Sequence, residues 1–209
     1  MAYHVLQRGL KGKKNNLTEI LHDNDPHLYL LTETQLRMKI DGYNFYSCKR
    51  EGKNGGGVGI FVKNDILNKT APHISDRNIE LMWISLITKS NRPIMIGVYY
   101  GQQETRTSKS EIELEMSMLQ EEICEMNNEG DVLIAMDGNA KIGLLGEQIS
   151  RNGNLLLHLF EETGVHVLNN SDICEGKVTR TNTKNANKKS AIDFVVASPV
   201  VSSMVTEEK

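Results

Sequence analysis

Val132-Leu133-Ile134-Ala135-Met136-Asp137-Gly138-Asn139 decides how this chain folds. Its unbroken apolar run reads as a strand covered on both faces, the pattern of a buried strand in an α/β sheet. The run ends on an acid followed by Gly-Asn, so two polar side chains project from a loop at a sheet end, where ligands commonly bind in α/β folds. Two other apolar runs carry an acid in the same way, Leu28-Tyr29-Leu30-Leu31-Thr32-Glu33 and Ala191-Ile192-Asp193-Phe194-Val195-Val196. A carboxylate in or just beyond a buried strand is costly to desolvate unless a cation or a dense set of donors compensates it. Three such sites point to a shared metal centre, although an Asp-Gly-Asn step taken alone is also ordinary turn chemistry.

Around these runs the chain alternates strands and helices. Residues 15–22 carry a short helical pattern that Asp25-Pro26 ends before the Leu28 strand. Residues 43–48, the Gly55-Gly56-Gly57 turn and residues 58–62 read as a hairpin. Residues 80–88 and 94–100 have bulky apolar groups on both sides and read as central strands. Residues 108–127 form the longest predicted helix, with Ile112, Met116, Leu119 and Ile123 on one stripe and Ser110 with Glu113 as a capping box. Six glutamates between Glu111 and Glu125 read as its solvated face. A second helix covers residues 154–163 and stops at Gly164, and short strands follow at 165–168, 178–181 and 191–197. Several connections are too short for a crossover helix, so much of the pairing is antiparallel.

The 209 residues, 39% hydrophobic and 24% charged, make one globular domain with a core of useful size. No apolar run reaches the roughly 18 to 20 residues that would cross a bilayer, and the polar N-terminus lacks a secretory signal. The expectation is an intracellular protein, nuclear or cytoplasmic, not secreted and without a membrane partner. Cys48, Cys124 and Cys174 are widely spaced and odd in number, which supports neither a disulfide framework nor a zinc site. A net charge of −3 excludes the basic surface of an avid, non-specific nucleic-acid binder, so any phosphate recognition must be local.

Four motifs occur in an order that resembles the endonuclease/exonuclease/phosphatase superfamily: Leu31-Thr32-Glu33-Thr34, Val98-Tyr99-Tyr100-Gly101, the stretch from Ile134 through Asp137-Gly138-Asn139 to Gly143, and Ser190-Ala191-Ile192-Asp193-Phe194. The chain is most similar to the AP-endonuclease-like domains of non-LTR retrotransposons and the related craniofacial development protein 2-like proteins. The resemblance implies a four-layer α/β/β/α sandwich of two mixed, largely antiparallel sheets. It implies that Glu33 coordinates a divalent metal, with Mg²⁺ as the expected ion and Mn²⁺ as an alternative. It further implies that Asp137 positions or deprotonates the attacking water, that Asn139 holds a phosphate oxygen, and that Asp193 orients a catalytic histidine. Tyr100, with Tyr99 as the alternative, matches the phosphate-contacting tyrosine. The reaction implied is hydrolysis of a phosphodiester by in-line attack of water.

The sequence also departs from that pattern. Leu6 stands where the family carries a metal-site Asn in its first strand, and the closing Ser-Asp-His motif does not occur before Lys209. The expectation is therefore a single domain over residues 1–209 that is incomplete at both ends and lacks its final strand. His4, His22, His27, His73, His158 and His166 all precede Asp193 and read as structural or surface residues. Met136 and Gly138 replace the glycine and aromatic that flank the Asp in the family, and Gly138 is expected to loosen the Asn139 loop. The basic residues 177–189 form either a solvated loop or a contact to a nucleic-acid backbone. Two functions follow: a Mg²⁺-dependent DNA endonuclease of retroelement origin, or a catalytically inactive remnant that keeps the fold as a binding module.

Overall fold

The computed structural model describes residues 3–5, 14–32, 34, 39–48, 57–66, 72–89, 92–170, 178–182 and 185–205. Its strands make two main sheets. The first has the order β1-β2-β4-β3, built from Tyr3–Val5, Leu28–Thr32, Val58–Lys63 and Tyr43–Cys48 respectively. The second has the order β5-β6-β7-β8-β12-β9, built from His73–Ile74, Glu80–Leu86, Ile94–Tyr100, Asp131–Asp137, Asp193–Ala197 and His166–Val167. The pairs β1–β2 and β7–β8 are parallel, and the other pairs in the two sheets are antiparallel. A separate hairpin joins β10, Arg180–Asn182, to β11, Asn185–Ser190.

Alternation along the strands explains the layering, because successive side chains point to opposite faces. Leu28 and Leu30 of β2 and Val58, Ile60 and Val62 of β4 pack against Met82, Ile84, Ile96, Val98, Leu133 and Ala135 of the second sheet. That is the sheet-on-sheet core. The opposite faces are covered by helices. Helix α1, Lys14–Asn24, places Leu17 and Leu21 on Tyr29, Leu31 and Phe61. Helices α2, Lys109–Glu129, and α3, Arg151–Thr163, place Ile112, Leu119, Ile123 and Leu156 on Trp83, Ile134, Met136 and Phe194. The result is an α/β/β/α sandwich whose strands β6, β7 and β8 are buried on both sides, as their unbroken apolar runs require. A short helix α4, Pro199–Met204, follows β12. Among the described residues no helix is long and apolar enough to cross a membrane.

Two expectations about α2 change. Its N-cap is Ser108, whose side chain accepts from Glu111 N–H while the Glu111 carboxylate accepts from Ser108 N–H at 2.9 Å. The capping box thus sits two residues before the Ser110 and Glu113 pair, because Ser110 is already within the first turn. Its glutamates are not all solvated. Glu115 accepts from the Tyr99 hydroxyl at 2.8 Å, and the fully buried Glu122 accepts from Ser75 Oγ at 2.6 Å, Trp83 Nε1 at 3.1 Å and Arg77 Nη1 at 3.2 Å. These donors come from the strand side of the interface, which a helix-only pattern does not reveal. The two-residue strand β5 was also not expected, being too short to carry a period. The predicted strand at 178–181 is displaced to Arg180–Asn182.

Candidate active site

The register of the second sheet brings the candidate residues together. Glu80 of β6 is opposite Tyr100 of β7, Tyr100 is opposite Asp137 of β8, and Asp137 is opposite Asp193 of β12. Directly opposed residues share a face, so these four side chains form one row across four strands. Their parity matches that of Met82, Val98, Ala135 and Val195, which line the sheet-on-sheet core, so the row faces the first sheet. Tyr100, Asp137 and Asp193 are all buried.

Asn139 is fixed beside this row. It has φ 44°, a left-handed conformation that Asn tolerates better than most residues. Its N–H donates to Asp137 Oδ1 at 3.2 Å and its Nδ2 donates to Gly101 O at 2.9 Å, while Gly101 N–H donates to Asp137 O at 2.8 Å. The loops after β7 and β8 are therefore laced to each other. At Gly138 a Cβ would lie 2.9 Å from Leu156 Cδ1 and 3.0 Å from Phe194 Cε2, and Gly138 N–H donates to Ile192 O at 2.8 Å.

Asp193 is held through its backbone. Thr179 Oγ1 accepts from Ile192 N–H at 2.9 Å and Asp193 N–H at 3.2 Å, and Asn169 Oδ1 accepts from Val195 N–H at 2.7 Å. Thr179 N–H donates to Ser190 O at 3.2 Å, so the β10–β11 hairpin is rooted at the start of β12. Most of the basic segment's side chains, like Glu33 and Leu6 themselves, lie outside the described residues.

The first sheet closes the same end. Glu80 Oε2 accepts from Gly57 N–H at 2.6 Å, and Gly57 O accepts from Thr34 N–H at 3.2 Å. The β2–β4 register pairs Thr32 with Val58, so the Thr34–Gly57 bond is one residue out of step, a bulge-like shift of the kind found beside active sites. Gly57 is required there: its φ is 90°, and a Cβ would lie 2.6 Å from Thr34 O. Thr32 and Thr34 are buried, and their Oγ1 atoms have no hydrogen-bond partner among the described residues. Sequence reasoning missed Glu80, Thr32, Thr179 and Asn169. The only available signal for Glu80 was an acid heading an apolar strand, and the others carry none outside the fold.

The two tyrosines part company. Tyr100 lies on the acid row, whereas Tyr99 points to the helix side, and burial, then the nearby Glu115 carboxylate, push its phenol well above the usual range. Of the histidines, His166 pairs with Ala197 at the far end of β12 from Asp193, and His73 lies on β5 beside Glu122. Among the described residues no three His, Cys, Asp or Glu side chains converge to hold a metal ion. The donor chemistry nevertheless fits one. Asp137 and Asp193 are directly opposed on adjacent strands, and their carboxyl oxygens are hard donors of the kind that suit Mg²⁺ or Mn²⁺.

No family model and no curated protein matches this sequence. Solved structures do. The endonuclease domain of TRAS1, a telomere-specific non-LTR retrotransposon, aligns with 95% of this chain and 83% of its own at 17% identity and a TM-score of 0.66. The Xenopus laevis APE2 catalytic domain aligns with 97% of this chain and 84% of its own at 15% identity and a TM-score of 0.74. A humanized D. rerio TDP2 aligns over 90% of this chain and 76% of its own, at 13% identity and a TM-score of 0.60. This chain shares the fold of these three proteins. At these identities the likeness concerns architecture, and in that architecture the row from Glu80 to Asp193 closes one end of the sandwich.

Proposed function

We propose that this chain is a divalent-metal-dependent phosphodiester hydrolase acting on DNA, of the retroelement endonuclease kind. The observation that carries the reading is the in-register row of Tyr100, Asp137 and Asp193 with Asn139 laced to its end. The TRAS1 and APE2 likenesses support the class, and the four motifs support the retroelement and craniofacial development protein 2-like grouping. The expected setting is the nucleus or cytoplasm.

In this reading Asp137 positions the attacking water and takes its proton as a general base. Asn139 and Tyr100 donate to phosphate oxygens from positions the backbone has fixed beforehand, which is where electrostatic preorganisation gains its effect. Asp193 orients the general acid that protonates the leaving oxygen. Glu33, with the aspartates of the row, would hold Mg²⁺ or Mn²⁺, and such an ion would supply charge stabilisation at the phosphoryl oxygens. Loss of a general base costs about 10²- to 10⁴-fold. Nicking of supercoiled plasmid in Mg²⁺ or Mn²⁺ should therefore fall by at least about 100-fold in Asp137→Asn, and Glu33→Ala should raise the metal requirement or abolish nicking.

One observation favours a second reading, a binding module that keeps the fold without turnover. His166, on the strand beside β12, is at the wrong end of that strand to meet Asp193. A cooperatively melting chain that binds DNA but nicks nothing in either metal would select that reading.

A further inference from the structure

Glu80 belongs to no motif that named the site, yet it joins the two sheets at the acid-bearing end. Its Cα is in register with Tyr100, and its Oε2 accepts from Gly57 N–H at 2.6 Å across the gap between sheets. Gly57 is buried and heads β4, and its carbonyl accepts from Thr34 just beyond β2. One carboxylate thus fixes the end of β2 and β4 relative to the row Tyr100–Asp137–Asp193. The position is demanding at Gly57, where φ is 90° and a side chain would strike Thr34 O, so the backbone there cannot be rebuilt around another contact. An acid committed to a backbone donor at 2.6 Å is not available as a metal ligand on that oxygen, and the described carboxylates do not converge three at a time. The chemistry is that of a spacer, and the neighbouring groups are those proposed to act on phosphate.

We infer that Glu80 is a positioning residue, holding the two sheets at the separation that the phosphodiester site requires; the inference rests on the hydrolase reading. Displacing a reacting group by about 1 Å can cost about 10²-fold in rate without loss of substrate affinity. Glutamine keeps an acceptor oxygen at the same reach, whereas alanine removes it. The test compares the full chain with Glu80→Ala and Glu80→Gln for nicking of supercoiled plasmid in MgCl₂, together with exchange of the Gly57 and Thr34 amides. Glu80→Ala should lose about 10- to 100-fold in kcat with KM within about threefold, and its Gly57 amide should exchange at least tenfold faster. Glu80→Gln should stay within about threefold of the parent in both rate and exchange. Activity of Glu80→Gln as low as that of Glu80→Ala would show that the charge itself acts, and would overturn positioning. So would unchanged kcat in Glu80→Ala, or a loss confined to KM. If the parent chain nicks nothing, the hydrolase reading has failed and the positioning role falls with it, while amide exchange still reports whether Glu80 ties the sheets.

Discussion

Thr32 shows how a single atom can separate what folding wants from what a site wants. Its hydroxyl is fully buried at the end of β2, with no partner among the described residues, a condition that costs about 1–3 kcal/mol relative to a satisfied group. Valine has nearly the same shape and no hydroxyl to desolvate. Thr32→Val should therefore raise the free energy of unfolding by about 1 kcal/mol in urea titration, and Thr32→Ser should not. A destabilised Thr32→Val would mean that the hydroxyl has a structural partner, such as a bound water. Gly153 gives the opposite lesson. Replacing a helical glycine with alanine usually stabilises by up to about 1 kcal/mol. Here a Cβ would lie 1.8 Å from Lys141 O, because α3 begins directly against the carbonyl that also accepts from Ser150 N–H at 3.0 Å. Gly153→Ala should cost about 2–3 kcal/mol and loosen the loop carrying Asn139; a neutral change in melting would refute that packing.

At the scale of elements, α2 is the instructive case. Glu122 is buried and collects Ser75, Trp83 and Arg77, so Glu122→Ala strands three donors and should cost about 3 kcal/mol or more; a loss under about 1 kcal/mol would mean that the network relaxes freely. Tyr99 on β7, facing Glu115, governs an alkaline limit. Its folded pKa lies above the usual 10, so unfolded chains lose the phenolic proton first; the stabilisation is complete below pH 10 and declines as pH rises past it. Tyr99→Phe should flatten the fall of the urea midpoint between about pH 9 and 11, leaving the smaller slope due to Tyr29, raised by burial, and Tyr43, pushed up to about 12. Identical slopes in parent and variant would remove Tyr99 from that role. The strands of this sheet were legible in the sequence because burial on both faces leaves an unbroken apolar run, and α2 was legible from its stripe. The buried glutamates and the correct cap were not. Burial of an acid depends on donors delivered by distant strands, and two serines two residues apart offer the same local cap. Asp137, Asn139, Asp193 and Tyr100 stood out as motifs, but their alignment in one row is a property of strand register, which no local window contains.

For the whole molecule, the opposed pair Asp137 and Asp193 links stability to metal. The two carboxyl groups face each other across β8 and β12 on a buried face, an arrangement that a bound cation would stabilise. A ligand that binds only the folded chain stabilises it by about 2.7 kcal/mol at a hundred times its dissociation constant. For a chain of this size each kcal/mol shifts the melting temperature by about 2–4 °C. Saturating Mg²⁺ or Mn²⁺ should therefore raise the melting temperature by about 5–10 °C over EDTA at matched ionic strength. Asp193→Asn removes one of the opposed carboxyl groups while keeping its shape. It should lose most of the rise in metal. A parent chain that melts at the same temperature in EDTA and in either metal would show that the paired acids are neutralised within the protein, and would take from them the role of a cation site.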